Sequence, residues 1–511
     1  MKEFLKVVFS RMFIIGSLIM LQVAALIFVF LRLSYYFLYI YIGFLALSIV
    51  ALLWIISREE EISYKLAWAI PVLGLPVGGV IIFLIFGTSK ISEKFAKATK
   101  QIYEDTFPLL KQDTDILKEL EKQDKHVFNQ ANYIQKQSLF PIYKNTYSEY
   151  LSPGEVKFKR MVEELNKAER YIFLEYFIIE EGLMWDSILD ILVKKVKQGL
   201  DVRVIYDDFG CLSKLPRKYN EKLEKLGIKC VVFNPVNPVV SVRHNNRDHR
   251  KILVIDGHTG FTGGINLADE YINRIERFGY WKDASIMIKG EAVWNLTIMF
   301  LQVWDYYTKV EDDYEKYRYI PNLDEEIQAD GYVQPYGDSP MDRERVGEVV
   351  YLNMINKAKD YVYINTPYFI VDNEVTNALV IAAKNGVDVR IVTPYVPDKW
   401  AVHILTRSYY DQLIEAGVKI YEYTPGFIHS KTFVCDDELG IVGTINLDYR
   451  SLYFHFECGV WLYKTKSVMD IKRDFLETLK SCKEVTLEEC KNVSWGIRVI
   501  RSILRVFAPL M

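Results

Sequence analysis

The sequence predicts a duplicated α/β fold: two similar αβα units packed about a pseudo-two-fold axis, behind an apolar N-terminal anchor. Three observations predict it. Strand-like and helix-like segments alternate from about Tyr143 onward, several of those segments recur in the same order, and three long uncharged runs precede them.

The runs come first. Met12 to Leu31 is an uncharged stretch of 20 residues, Leu33 to Ser57 another of 25, and Leu66 to Thr88 lies in a third that ends before Lys90. A helix of about 20 apolar residues spans a bilayer core of roughly 30 Å. Residues 1–89 are therefore expected to form a transmembrane anchor of up to three helices, placing the protein in the cell membrane as a multi-pass chain. Lys and Arg flanking the runs sum equally on the two sides, so charge bias does not choose an orientation. The Lys cluster after the third run and the thiols favour a cytoplasmic catalytic domain.

A charged, helix-prone connector follows over 90–142. The first α/β unit is expected over 143–325. "RYIFLEYFII" (Arg170 to Ile179) reads as a buried strand, "MWDSILDILVKKVKQG" as a helix stopping at Gly199, and "DVRVIYDD" (Asp201 to Asp208) as the next strand. This βαβ rhythm predicts a mainly parallel sheet. The second unit, 326–485, repeats the first. "KQGLDVRVI" from Lys197 matches "KNGVDVRIV" from Lys384, and "LEKLGIKCVVFNP" from Leu223 matches "LIEAGVKIYEYTP" from Leu413. Over 486–511, Arg498, Arg501 and Arg505 form one helical stripe opposite Ile500, Ile503, Leu504 and Phe507. That predicts a basic amphipathic helix lying on an anionic bilayer, with docking on the protein itself as the alternative.

Composition narrows the function. With 63 Lys and Arg against 66 Asp and Glu, the net charge of −3 supplies no global attraction for nucleic acid. None of the six Cys forms a CxxC pair, so neither a structural zinc site nor a disulfide framework is predicted.

The chemistry lies in the most specific repeat. "HRKILVIDGHTGFTGGIN" and "HSKTFVCDDELGIVGTIN" both read HxKxxxxD, with Gly seven residues after the Asp and Asn three further on. His249, Lys251, Asp256, Gly263 and Asn266 fall on His429, Lys431, Asp436, Gly443 and Asn446. Residues two apart in a strand share a face, so each His projects with its Lys. Lys and Asn suit phosphate oxygens, and the Gly segments would let backbone N–H groups approach. Two copies brought together give two Lys, two Asn and two facing His, a constellation for phosphoryl transfer by double displacement. Asp256 and Asp436 end an apolar strand and are expected to hold the following turn more than to touch substrate. His126, His244, His258, His403 and His455 lack the pattern and read as surface or satisfied polar positions.

With these paired motifs the sequence resembles the phospholipase D superfamily, and within it bacterial cardiolipin synthases. The hydrophobic N-terminus, "LAWAIPVLGLPVGG" included, and the "SWGIRVIRSILRVFAPLM" ending match that style. The resemblance implies metal-independent, cofactor-free transphosphatidylation, two phosphatidylglycerols giving cardiolipin and glycerol through a phosphatidyl-histidine. Anionic membrane lipid is the implied partner. It implies His249 as nucleophile, His429 as acid, and a carboxylate behind each His in the strand after its own motif, here Asp283 and Glu457. It also implies phosphate binding by Lys251, Asn266, Lys431, Thr444 and Asn446. Gly264 replaces a hydroxyl residue of the family pattern, leaving Thr444 as the one hydroxyl to hold phosphate. A hydrolytic phospholipase D, a nuclease and a catalytically inert membrane scaffold are the competing readings. The near-neutral charge opposes the nuclease, and the intact motifs oppose the scaffold.

Overall fold

A computed structural model describes residues 37–510 apart from 76–77, 88–92, 237–245, 311, 320–327 and 342–343, together with Met20, Ala24, Ile27 and Phe28. The first predicted span thus lies almost wholly outside the described residues. The second contains helix α1 (Phe37–Ser57). The third is not one helix but two, α2 (Ile62–Gly74) and α3 (Gly78–Phe86). Helix α2 runs through Pro71, whose missing N–H removes one rung of the ladder, and ends at Gly74. At 1.5 Å per residue neither piece reaches across about 30 Å, and the expectation of a third span is corrected accordingly. Among the described residues no helix is long and apolar enough to cross a membrane. These three helices nonetheless leave Ile49, Leu53, Ile62, Leu66, Leu73 and Leu84 exposed, around a small shared core that includes Ile55, Trp68, Val72 and Phe83.

The connector is a clamp. It forms α4 (Glu93–Thr106), α5 (Thr114–Gln123) and α6 (Lys125–Ser138). Asp113 and Asp124 accept backbone N–H bonds at the starts of α5 and α6, satisfying donors that a helix start leaves open.

The first unit contains β1 (Thr146–Leu151), α7 (Gly154–Lys167), β2 (Tyr171–Tyr176), α8 (Leu183–Lys197), β3 (Asp201–Asp207), α9 (Tyr219–Lys225) and β4 (Lys229–Phe233). It continues with β5 (Lys251–Ile255), β6 (Thr259–Gly263), β7 (Tyr280–Lys282), β8 (Ser285–Gly290) and α10 (Val293–Thr308). The second contains β9 (Tyr332–Asp338), α11 (Val346–Lys357), β10 (Tyr361–Asn365), β11 (Phe369–Ile370), α12 (Asn373–Lys384), β12 (Asp388–Pro394), α13 (Trp400–Thr406) and α14 (Tyr410–Glu415). After β13 (Lys419–Tyr423), β14 (Gly426–Ile428), β15 (Thr432–Cys435), β16 (Leu439–Gly443) and β17 (Leu447–Asp448) come α15 (Tyr449–Tyr453), β18 (Glu457–Tyr463), α16 (Lys466–Leu479), β19 (Cys482–Glu484), α17 (Leu487–Lys491) and α18 (Trp495–Phe507). Helix α4 packs on α10 of the first unit, while α6 packs on α11 and β9 of the second.

The two large sheets have matching orders, β1-β8-β6-β5-β2-β3-β4 and β9-β18-β16-β15-β10-β12-β13, the second with β19 added at its edge. Only β2–β3–β4 and β10–β12–β13 run parallel. The other pairings are antiparallel, which corrects the mainly parallel sheet predicted from the rhythm. The cause is the hairpin of each motif, β5–β6 and β15–β16, which adds to β2 and β10 with no crossover helix. One shared core holds α10 and α16 between the sheets, with Phe173, Val254 and Ile288 on one side and Val434, Val442 and Val460 on the other.

The tail is docked. Ala508 and Pro509 are buried, and α18 packs on α13 and α2. Arg505 sits over the Tyr409 ring at 4.7 Å, whereas Trp495 and Ile503 are exposed. Of the two readings of the amphipathic pattern, this orientation fits the docked one.

Candidate active site

Both motif hairpins end at the seam between the units. The residue before each motif His pairs in parallel with the residue before a carboxylate of the opposite unit. Asp248 bridges Phe456, and Ile428 pairs with Lys282 in the β14–β7 ladder. His249 N–H donates to the Phe456 carbonyl (2.9 Å) and His429 N–H to that of Lys282 (2.7 Å).

This register exchanges the carboxylates. His249 Nδ1 lies 2.8 Å from Glu457 Oε1, and His429 Nδ1 lies 2.7 Å from Asp283 Oδ2. The within-unit pairing implied by the resemblance is therefore corrected: each His meets the acid of the other unit. Both acids are fully buried, and each His is only 7% exposed. A carboxylate on Nδ1 fixes the tautomer with Nε2 unprotonated.

The motif lysines lie next to their histidines. Lys251 and Lys431 are buried beside their histidines, and each Nζ donates to the carbonyl of its own His. Burial depresses Lys251 to about 8 and Lys431 to about 7. Burial, then Lys431, holds His429 at about 4; burial, then Lys251, holds His249 well below its ordinary value. Burial pushes Glu457 up to about 8, against the pull of Lys251. Burial thus holds all four basic groups of the site below their ordinary values.

Other predicted site residues lie elsewhere. Asp256 accepts backbone N–H bonds from Glu169, Arg170 and Tyr171, and Asp436 from Lys359, Asp360 and Tyr361. Both sit at positive φ, 55° and 53°, in the motif turn. They fasten the starts of β2 and β10, which matches the turn-holding expectation and sets both aspartates apart from the motif His and Lys as catalytic groups. Thr444 donates to Glu457 and sits 3.1 Å from the Cys458 carbonyl with no exposed surface. A phosphate role for its hydroxyl is corrected. Asn266 accepts from Ile178 N–H and donates to the Tyr271 hydroxyl, whereas Asn446 Oδ1 is buried without a partner.

The glycine amides are engaged as well. Gly264 N–H donates to Ala284 and Thr444 N–H to Cys458. The glycine is required by space instead: a Cβ on Gly264 would lie 2.1 Å from Asp283 Oδ1.

One residue was missed. His455 lies beside His249, ring centroids 5.7 Å apart, with neither ring nitrogen hydrogen-bonded. Its position two residues before Glu457 was the available signal, since alternate strand residues share a face. Its counterpart Trp281 stands 5.3 Å from His429. His455 also lines a cavity of about 740 Å³ between the N-terminal helices and the second unit, with Arg58, Tyr64, Asn246 and Tyr453. Among the described residues, two clusters have metal-ligand chemistry: His249–His455–Glu457, and Glu348–Asp372–Glu374. In the second, Glu348 is paired with Arg345 and Asp372 accepts from Tyr453.

Two buried His–carboxylate pairs with adjacent lysines, built from two halves of a duplicated α/β fold, define an enzyme of the phospholipase D superfamily. The comparisons with known proteins narrow this further. The family model described as cardiolipin synthase, PLD-like domain, matches residues 161–288 and 351–479, and a phospholipase D-nuclease N-terminal model matches 46–87. A cardiolipin synthase of Halalkalibacterium halodurans is 35% identical over 89% of this chain and 91% of its own. An uncharacterized protein of Streptococcus mutans is 47% identical over 90% and 99%. The crystal structure of Haemophilus influenzae phosphatidylserine synthase, 16% identical, superposes with a TM-score of 0.55 over 71% of this chain and 93% of its own, a likeness of fold. The chain belongs to the cardiolipin synthase family and is a phosphatidyltransferase of phospholipase D type.

Proposed function

We propose that the protein makes cardiolipin and glycerol from two phosphatidylglycerols, through a phosphatidyl group carried on His249. The carrying observation is the crossed pair of buried His–carboxylate contacts at one seam. His249 Nε2 attacks phosphorus, and His429 delivers a proton to the departing glycerol oxygen. In the second half, the headgroup hydroxyl of another phosphatidylglycerol returns that proton to His429 and attacks the phosphatidyl-histidine. Lys251, Lys431 and Asn446 hold the phosphate oxygens; Asn266 has one N–H left to contribute. Glu457 and Asp283 orient the two rings.

Burial holds both histidines neutral at pH 7, so the acid acquires its proton as the phosphodiester anion binds beside the lysines. Binding is therefore expected to take up protons, measured as a dependence of calorimetric binding heat on buffer ionisation. No divalent ion is called for, because His, Lys and Asn supply the phosphate contacts. A large loss of activity in EDTA, restored by magnesium or calcium, would oppose this.

The exposed apolar faces of α1–α3 support attachment to the membrane by the N-terminal region. The six unpaired cysteines fit a catalytic domain on the cytoplasmic side. Purified protein in phosphatidylglycerol vesicles, with products identified by mass, tests the reading. Cardiolipin plus glycerol is expected; phosphatidic acid alone would point to hydrolysis.

A further inference from the structure

The His249 side of the site carries a group that the reaction leaves unused. His455 stands where the first unit has Trp281, and its Nδ1 is 3.8 Å from Glu457 Oε1. Its side chain is 11% exposed, yet both ring nitrogens are buried without a hydrogen-bond partner. A buried imidazole ordinarily finds partners for its nitrogens.

We propose that His249, His455 and Glu457 form a binding site for one transition-metal dication of the zinc class, and that its occupancy switches the enzyme off. One ligand atom from each residue lies within 4.8 Å of the others. A tetrahedral zinc ion with ligands about 2.0–2.2 Å away sets them roughly 3.3–3.5 Å apart. Side-chain adjustment is enough to close the set on an ion. Two imidazoles and one carboxylate are donors suited to zinc, not the all-oxygen set that calcium or magnesium takes. His455 lines the cavity between the N-terminal helices and the second unit, the side from which an ion would approach. The proton held within the His249–Glu457 pair leaves to solvent as the metal binds. The other half of the site has Trp281 in place of His455, so one ion per chain is expected.

Binding itself is independent of the reaction; the inhibition rests on the role proposed for His249. The test uses the full chain in phosphatidylglycerol vesicles, with zinc as inhibitor and cobalt as a spectroscopic probe. The wild type is expected to bind one cobalt with a tetrahedral spectrum and to lose at least tenfold in turnover with zinc, recovered with EDTA. His455→Asn and His455→Phe are each compared with their own zinc-free rate, which also reports folding. Both are expected to need at least tenfold more zinc and to lose the cobalt spectrum. Zinc sensitivity unchanged in both variants, or no cobalt bound by the wild type, would overturn the site. Cobalt bound through His455 with turnover unaffected would uphold the site and overturn the role of His249 instead.

Discussion

The two halves of the active site are built on one plan and finished differently. Around His429 stand Asp283, Trp281 and Tyr271 from the first unit, with Gly264 leaving room for the acid. Around His249 stand Glu457 and His455 from the second, and Thr444 donates to the acid. A third difference lies behind the motifs. Arg250 ties together Glu175 (2.6 Å) and Asp248 (3.0 Å), all buried. The matching positions of the other unit hold Ser430, Asn365 and Ile428, where Asn365 bonds Thr432. Symmetry thus brings the reacting groups together, while asymmetry gives each histidine its own electrostatic surroundings. The His249 half holds a proton shared with an acid raised to about 8; the His429 half waits for its proton.

The sharpest way to break this comparison is to remove one histidine at a time. His249→Ala and His429→Ala are each expected to cost on the order of 10⁴–10⁶ in turnover, nearly what the double variant loses, because they act as a unit. Trapping separates them. With a substrate carrying a good leaving group, His429→Ala is expected to acquire radiolabelled phosphatidyl and His249→Ala none. Label confined to His249→Ala would exchange the two roles.

Next come the exchanged acids. Glu457→Gln and Asp283→Asn are expected to lower turnover by on the order of 10²–10⁴, since an amide favours the wrong tautomer. In the trapping assay Glu457→Gln should behave like the loss of His249, and Asp283→Asn like the loss of His429. The opposite pattern would restore within-unit pairing.

Acid stability reports the His429 half. Its folded value of about 4 lies below the ordinary 6.5, so the unfolded chain binds the proton more readily. The stabilisation is full above pH 6.5 and is lost as pH falls through 4, amounting to roughly 3 kcal/mol. His429→Asn should flatten that limb of the thermal unfolding profile between pH 7 and 4; an unchanged limb would reject the assignment.

The smallest effects belong to residues outside the reaction. Thr444→Val, which strips one hydrogen bond from Glu457, is expected to cost about tenfold in turnover, consistent with about 1.5 kcal/mol for a charge-assisted bond. Asp256→Ala and Asp436→Ala should each destabilise the fold by about 1–3 kcal/mol and leave turnover per folded molecule within about threefold. A loss near that of the histidine variants would put the aspartates back in the reaction.

The duplication, its strand and helix segments and the paired HxKxxxxD motifs were legible because periodicity and spacing are local properties. Direction and partnership were not. The sheet is mostly antiparallel because a hairpin inserts beside β2 and β10, and no rhythm of strand and helix records where a hairpin docks. The carboxylates were found but matched to the wrong histidines, since their pairing is decided at the Asp248–Phe456 and Ile428–Lys282 contacts between distant segments. Thr444 looked like a phosphate ligand by residue type, yet faces an acid. His455 passed unnoticed because its importance comes from His249, over 200 residues away in sequence. The third apolar run was long enough to span, but a length count does not record that its first helix ends at Gly74.

The exchanged carboxylates also bear on ancestry. Two copies that complete each other's histidines are what an isologous homodimer becomes when its subunits are fused into one chain. In such a dimer every mutation strikes both half-sites at once, so the two histidines cannot be tuned apart. Fusion lifts that constraint. Tryptophan can stand beside one imidazole and histidine beside the other, and a single gene can give its two halves different trades while neither can practise alone.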